Sequence, residues 1–471
     1  MRNTKIVATL GPSSTEPEIL EALVKAGVDV FRINASHGSQ AELVARIESA
    51  RAASERCGVR CGILLDLQGP KIRLGRFENG GCELAPGTEF TITTESCMGT
   101  EERACTSYPD FAKDVKPGDR ILLADGALEL RAVSSDGVAV KTRVITGGRI
   151  SDRKGINLPG VQVSSPALTK KDMSDLKLGL EAGIDMVALS FVRKRDDVLR
   201  LRHFLEEHEY KVPIIAKIEK PEAWDRLDEI LEESDGVMVA RGDLGVEMAL
   251  ERVPFIQKSI IQKARNRGRF VITATQMLES MIENPFPTRA EVSDVANAIH
   301  DGTDAIMLSA ETSAGKYPVE SVSLMQRIAV ETDSTLRTLG GGIDLGRPEN
   351  PTHPMMVAYL SWRACVLMNA AAIVVFSATG SSVRLVSRYR PPMPVLAFTP
   401  SEATARQLNV LYGVRGHVAP DMPSTDQMME WMDRYLLEKG LIKAGETVVF
   451  VAGQPIGRPG TTNMMKLHRV D

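Results

Sequence analysis

The sequence predicts an α/β protein built on a closed (β/α)8 barrel, interrupted by a small β-barrel lid domain and followed by a C-terminal α/β domain. Three observations predict it. Eight short apolar runs recur through the first 330 residues, each ending in a polar or glycine-bearing tip and leading into an amphipathic stretch. One block interrupts them with β-patterned segments and Asp-Gly turns. A glycine- and proline-rich stretch near residue 340 then precedes further strands and helices.

The runs are KIVATLG (5–11), VDVFRIN (28–34), GILLDLQG (62–69), IDMVALSF (184–191), PIIAKIE (213–219), GVMVARGD (236–243), RFVITATQ (269–276) and DAIMLSAE (304–311). They are rich in Val and Ile and apolar on both faces, as parallel strands covered by helices must be. Eight such units predict a TIM barrel over 1–69 and 167–338; an open doubly wound sheet is the competing arrangement, but nothing in it favours eight. Between the runs lie helix candidates such as TEPEILEALVKAG and EAWDRLDEILEES, and PTRAEVSDVANAIHDG opens with Thr288 and Glu291 at capping-box spacing. Residues 70–166 carry no helical period. TEFTITT, DRILLADG, LELRAVSSDG and VAVKTRVITGG alternate between turns, predicting an antiparallel β domain inserted after strand three. Such a position is above the carboxyl ends of the barrel strands and suits a lid. LGGGIDLGRPENPTHP marks a linker (339–354), and IVVFSATGSS, PVLAFTPS and TVVFVAG are strands of a separate domain over 355–471.

The chain has 471 residues, 43% hydrophobic and 25% charged, with a formal net charge of -4. This slight acidity offers no general attraction to nucleic acid or acidic lipid. The six cysteines, at 57, 61, 82, 97, 105 and 365, have no framework spacing and are expected as free thiols in a cytoplasmic protein. No signal-peptide pattern opens the sequence and no segment has the length and apolarity of a membrane span.

Function is written on the strand tips. Lys217 and Glu219 close the run PIIAKIE two positions apart, so they project from one face of the strand. Either they pair with each other, or something between them needs both signs of charge. Other tips are similar: Arg32 and Asn34, then Ser36 and His37; Asp66 and Gln68, then Lys71 and Arg73; Arg241 and Asp243; Thr275; Ser309 and Glu311. An Arg-Asp step at one strand end is more often an ion pair than a catalyst. Six polar tips at one barrel mouth call for more than structure. Glu219 and Asp243 end adjacent strands, and two carboxylates with open positions beside them suit Mg²⁺ or Mn²⁺. Arg32, Lys71, Arg73 and Lys217 would surround that metal, the combination a phosphoryl group in flight requires. Neither GxxxxGK[ST] nor a strand-following GxGxxG is present.

FRINASHG, LDLQGPKIR, KGINLP, IIAKIEKPEA, MVARGDLGVE, TATQMLESM, PTRAEVSDVANA and MLSAET resemble, in order, the motifs of the pyruvate kinase family, and the resemblance covers essentially the whole chain. It implies phosphoryl transfer from phosphoenolpyruvate to ADP, giving pyruvate and ATP. By matching motif it implies that Lys217 neutralises the phosphoryl group, that Glu219 and Asp243 are metal ligands, and that Arg32 contacts the phosphate. Gly242 and Asp243 would offer backbone N–H groups to the substrate, beside Thr275. Arg73 and Lys154, with Asn34 and His37, match nucleotide contacts, Lys154 arriving when the lid closes. Thr275 with Ser309, or a water, is the expected proton donor to the enolate.

One departure is informative. Many members bind K⁺ through residues matching Asn34, Ser36, Asp66 and the backbone at Leu67, and carry Thr-Lys and a later Glu where this chain has Leu67-Gln68 and Lys71. The pattern here resembles the potassium-independent branch, in which a fixed ammonium at Lys71 replaces the monovalent ion. Lys71 as a lid-hinge residue paired with an acid is the structural alternative. In the C-terminal domain Ser377, Thr379, Gly380, Ser381 and Ser382 lie between a strand and a helix, as a phosphate pocket or as an ordinary serine N-cap. AGQPIGRPGTTNMMKL resembles an effector loop, with Arg458 as phosphate partner; sugar monophosphates, fructose 1,6-bisphosphate and AMP are the open choices. The family implies a homotetramer. A metal-dependent barrel lyase acting on a 2-oxo acid is the nearest rival activity, and a catalytically dead metabolite sensor the non-enzymatic one.

Overall fold

The structure is a computed structural model and describes residues 2–338, 345–349, 351–456 and 460–471. The first three apolar runs form β1 (Lys5–Thr9), β2 (Val30–Asn34) and β3 (Gly62–Asp66). The insert supplies β4 (Gly81–Leu84), β5 (Glu89–Thr93), β6 (Arg103–Cys105), β7 (Arg120–Leu123), β8 (Leu128–Ser135), β9 (Ala139–Thr146), β10 (Gly148–Ser151) and β11 (Ile156–Asn157). The other five runs become β12 (Met186–Leu189), β13 (Ile214–Ile218), β14 (Gly236–Ala240), β15 (Phe270–Ala274) and β16 (Ala305–Leu308). All eight are parallel and close in the order β1-β16-β15-β14-β13-β12-β3-β2, which excludes the open sheet.

Alternation along each strand decides what the barrel holds. Ile214, Ala216 and Ile218 pack outward with the surrounding helices, whereas Ile215 packs inward. Lys217 follows Ile215 by two and shares its phase. Val30, Leu64 and Ala188 are likewise interior, so Arg32, Asp66 and Ser190 each stand one step above an apolar floor.

That floor is continuous with the C-terminal domain, since Val7, Val30, Met238 and Met307 share one buried cluster with Leu408, Val410, Leu411 and Val414. Aspartates at the start of alternate strands anchor this junction. Asp29, Asp185, Asp235 and Asp304 accept the N–H of Ile6, Ile63, Ile214 and Val271 on the preceding strand, at 2.8–3.0 Å. Three of them also reach across the domain boundary: Asp185 to Arg406 at 2.8 Å, Asp235 to Arg384 at 3.4 Å, and Asp304 to the Tyr412 N–H at 3.1 Å.

The insert has a six-stranded sheet, β11-β7-β8-β9-β5-β6, and a two-stranded ribbon, β10-β4. Both face one core that includes Leu84, Phe90, Ile121, Leu130, Val144 and Ile150, so the expected small barrel takes the form of two sheets around a shared interior. Two details differ from the sequence expectation. β5 and β6 pair in parallel, because the chain between them crosses over instead of forming a hairpin. A single helical turn, Phe111–Asp114, is too short to leave a period in the sequence.

The C-terminal sheet runs β19 (Val414–Val418), β18 (Val395–Thr399), β17 (Ala372–Phe376), β20 (Thr447–Gly453), β21 (Thr462–Arg469), with β21 antiparallel. Its first helix, His353–Leu367, begins within the stretch read as linker, of which 339–344 and 350 lie outside the described residues. All six cysteines are free.

Candidate active site

At the barrel mouth the three inward tips of β2, β3 and β13 meet. Arg32 donates through Nε to Asp66 Oδ2 at 2.7 Å, with Nη2 at the same distance from that oxygen, and through Nη1 to Thr9 Oγ1 at 3.0 Å. Lys217 Nζ lies 2.7 Å from Glu219 Oε1, 2.7 Å from Ser190 Oγ and 3.4 Å from Asp66 Oδ1. Asp66 is 1% exposed and is thus the shared anion between two cations. Burial opposes its charge, yet Lys217 and Arg32 hold its carboxyl below the usual range. Burial likewise opposes the Lys217 charge, and Asp66, Glu219 and Asp243 outweigh it, so its pKa is raised and the ammonium persists.

Glu219 is fixed by the Phe191 N–H, which donates to Oε2 at 3.0 Å. Phe191 needs a positive φ of 56° to aim that N–H, a conformation rare for a bulky side chain. Asp243, one strand on, is pushed up to about 6 by burial and by the Glu219 charge, against Lys217 and Lys71. A buried Glu219 carboxylate beside a solvent-reaching Asp243 carboxylate is a fitting donor pair for a divalent cation. Among the described residues no group of three or more His, Cys, Asp or Glu forms a metal cluster. Oxygen donors few in number, with room for substrate oxygens and water, suit a hard cation.

Thr275 also has a left-handed backbone, with φ 66°, and Gln276 follows at 54°. A β-branched residue there is strained, and the surroundings hold it. The Arg241 guanidinium donates to the Thr275 carbonyl at 2.8 Å and the Gln276 carbonyl at 3.0 Å, and pairs with Asp294 at 2.7 Å. Thr275 Oγ1 accepts the Gly242 N–H at 2.7 Å, so in this structure that N–H is directed at the threonine.

Not every polar tip serves the mouth. Arg241 is a brace for the Thr275 turn, and Glu311 accepts the N–H of Ser309 at 2.7 Å and of Leu278 at 3.1 Å. Asn34 Oδ1 accepts the Ser36 N–H at 3.0 Å, and the Leu67 N–H is donated to Ala188 at 3.0 Å. His37 is exposed and its pKa is lowered by partial burial and by Lys71, Arg73, Arg32 and Arg46, which marks a cationic rim. Arg73 donates to the Arg153 carbonyl at 3.0 Å, and Lys154 is exposed on the returning edge of the insert. Sequence reasoning missed Thr9 and Ser190, which orient Arg32 and Lys217. Ser190 was findable, being two residues beyond inward Ala188 at the end of the fourth run.

In the C-terminal domain Ser377, Thr379, Ser381 and Ser382 line a cavity of about 90 Å³, in which Asp421 is the one charged residue among the described lining. The Gly380 N–H is donated to Ser377 Oγ at 3.0 Å, and Ser382 and Thr462 share a hydroxyl hydrogen bond. Arg458 lies outside the described residues.

A closed barrel that sets a largely buried ammonium, an arginine and a pair of metal-suited carboxylates at its mouth, beneath an inserted domain with further cations, has the build of a phosphoryl-transfer enzyme. Residues 1–322 match the pyruvate kinase barrel domain and residues 356–468 the pyruvate kinase alpha/beta domain, so the chain belongs to the pyruvate kinase family. It is 46% identical to a pyruvate kinase of Mycobacterium tuberculosis over all of this chain and 98% of that one. It is 44% identical to that of Geobacillus stearothermophilus over 99% of this chain and 80% of the longer relative. A crystal structure of a pyruvate kinase from Cryptosporidium parvum superposes with a TM-score of 0.93 at 35% identity, covering 100% of this chain and 96% of that one. The chain is therefore a phosphotransferase that depends on a divalent metal and acts on phosphoenolpyruvate and ADP. Among the described residues no helix is long and apolar enough to cross a membrane.

Proposed function

We propose that this enzyme works with Mg²⁺ or Mn²⁺ and needs no K⁺, and that Lys217 carries the phosphoryl group's charge in transit. The observation that carries the reading is the Lys217 ammonium, clamped 2.7 Å from Glu219 and 3.4 Å from Asp66 at the barrel mouth. A cation fixed before the substrate arrives stabilises developing charge without reorganisation. Arg32 commits two of its five N–H donors to Asp66 and Thr9, leaving three for phosphate oxygens. Glu219 and Asp243 would hold the divalent ion, which when bound neutralises substrate oxygens. Thr275, with Ser309 or a water, supplies the proton that the enolate takes up. Arg73, Lys154, Asn34 and His37 take the nucleotide.

Lys71 supports the K⁺-independent reading because its charge is felt both at Asp243 and at His37, on either side of the mouth. A point charge there needs no coordination shell. A coupled assay for ATP from phosphoenolpyruvate and ADP tests it. Activity is expected in Mg²⁺ buffer free of K⁺ and Na⁺, and Lys71→Glu is expected to create a K⁺ requirement; a wild type inert until K⁺ is added would sink this role for Lys71. The same assay with sugar monophosphates, fructose 1,6-bisphosphate and AMP tests the Ser377–Ser382 turn as an effector site. The proposal includes a cytoplasmic homotetramer, as the family resemblance implies.

A further inference from the structure

Asn157 on β11 donates from Nδ2 to Glu247 Oε1 at 3.1 Å, one of the polar contacts between the insert and the barrel. The same oxygen is paired with Lys220 Nζ at 2.5 Å, and the Glu247 and Lys220 side chains are 1% and 12% exposed. Glu247 Oε2 is buried with no hydrogen-bond partner. Lys220 Nζ also sits 5.8 Å from the centre of the Phe191 ring, the residue whose N–H fixes Glu219. Asn157, Phe191 and Lys220 line a cavity of about 60 Å³ between insert and barrel that also reaches Lys71 and Asp243, with Glu247 behind them.

Each member lies beside a functional group. Lys220 directly follows Glu219, Glu247 is one helical turn after Asp243 on the helix Arg241–Glu247, and Asn157 is three residues after Lys154. A domain joined to its host by two chain crossings can pivot, and what sets its angle is contact away from those crossings. A carboxylate this buried must keep its cation, so Lys220 is not free to release it. The amide of Asn157 is the uncharged, exchangeable partner.

We propose that Asn157 and Glu247 form the latch of the lid, Glu247 being a positioning residue that Lys220 anchors and Asn157 the lid's reader of it. The latch sets how closely Lys154 and Arg73 approach the nucleotide above Asp243. This rests on the phosphotransferase reading with the lid carrying nucleotide contacts. The expected signature therefore falls on ADP and spares phosphoenolpyruvate, whose contacts Arg32, Lys217 and Thr275 all lie in the barrel.

The test uses the full-length enzyme and a swapped pair. Asn157→Asp sets two carboxylates against each other in nearly the same volume. It is expected to raise the KM for ADP about tenfold, the scale of losing a hydrogen bond to a charged acceptor and gaining repulsion, with the KM for phosphoenolpyruvate and kcat within about threefold. Asn157→Ala should give a smaller rise. The double variant Asn157→Asp with Glu247→Gln restores one acid, one amide and the Lys220 charge balance, and should recover most of the ADP affinity. Hydrogen exchange, read without substrate, should quicken across residues 70–166 in Asn157→Asp and return in the double variant. The latch is overturned if the double variant is no better than the single one, if both KM values rise together, or if exchange in the insert is unchanged. Wild-type turnover in the ATP-forming assay reports on the activity itself, so failure of that reading is seen separately.

Discussion

Lys217 meets the first of the two alternatives that its spacing with Glu219 raises. It pairs with Glu219, and it does so while sharing Asp66 with Arg32, so that the mouth holds a near-balanced set of fixed charges. Desolvating such a set is costly, and removing one member leaves the rest uncompensated. Lys217→Met is therefore expected to lower kcat by at least about a thousandfold, the scale of lost transition-state electrostatics, in the ATP-forming assay. A variant within tenfold of wild type would mean that another cation bears the phosphoryl charge. The residue scale also separates brace from reactant. Arg241 reads like a catalytic tip in sequence, yet its guanidinium is spent on the carbonyls of the left-handed Thr275–Gln276 turn.

At the scale of elements, the helix Arg289–Asp301 shows how far local rules reach. Thr288 accepts the Glu291 N–H at 3.2 Å and Glu291 accepts the Thr288 N–H at 2.7 Å, the reciprocal cap that the spacing predicts. Glu291 does more than cap: it also accepts from the N–H of Ser280 at 2.7 Å and from its hydroxyl at 2.5 Å. Thr288→Ala should thus cost about 1 kcal/mol, the usual value of a lost N-cap. Glu291→Ala should cost more, because it also frees the Ser280 segment. Denaturant midpoints of the two variants at unchanged slope measure the difference; equal shifts would show that the Ser280 contact contributes nothing. The apolar runs were as legible as the cap, since each of the eight became a barrel strand within its expected span. The insert was harder, as β4, β6, β10 and β11 are two to four residues long and leave too little alternation to detect.

The molecule as a whole is held by its floor as much as by its mouth. Asp185 is buried between Arg51 at 2.7 Å and Arg406 at 2.8 Å, one guanidinium from each domain, while accepting the Ile63 N–H. Asp185→Ala strands two arginines and a strand N–H, and is expected to lower stability by about 3–5 kcal/mol. Arg406→Ala leaves Arg51 in place and should cost clearly less. Thermal melts of the pair check this, and a larger loss in the arginine variant would remove Asp185 from its central role. The signal was present in AGVD, AGID and DGTD, where a glycine ends a helix in a left-handed conformation and an aspartate opens the next strand two residues on. Its meaning needs the closed ring, because the partners are a neighbouring strand and another domain.

By itself the sequence determined the barrel's strand count, the inserted and C-terminal domains, and the one-sided pairing of Lys217 with Glu219. These follow from the two-residue period of a strand and the 3.6-residue period of a helix, which act within a few residues of chain. Only the tertiary structure decided which tips meet. Thr9 and Ser190 join the mouth, Arg241 and Glu311 turn away to support it, and Asn157 reaches Glu247 across 90 positions of sequence. Those outcomes depend on barrel closure and on the seating of the lid, both of which sum many distant contacts and leave no mark in any single segment.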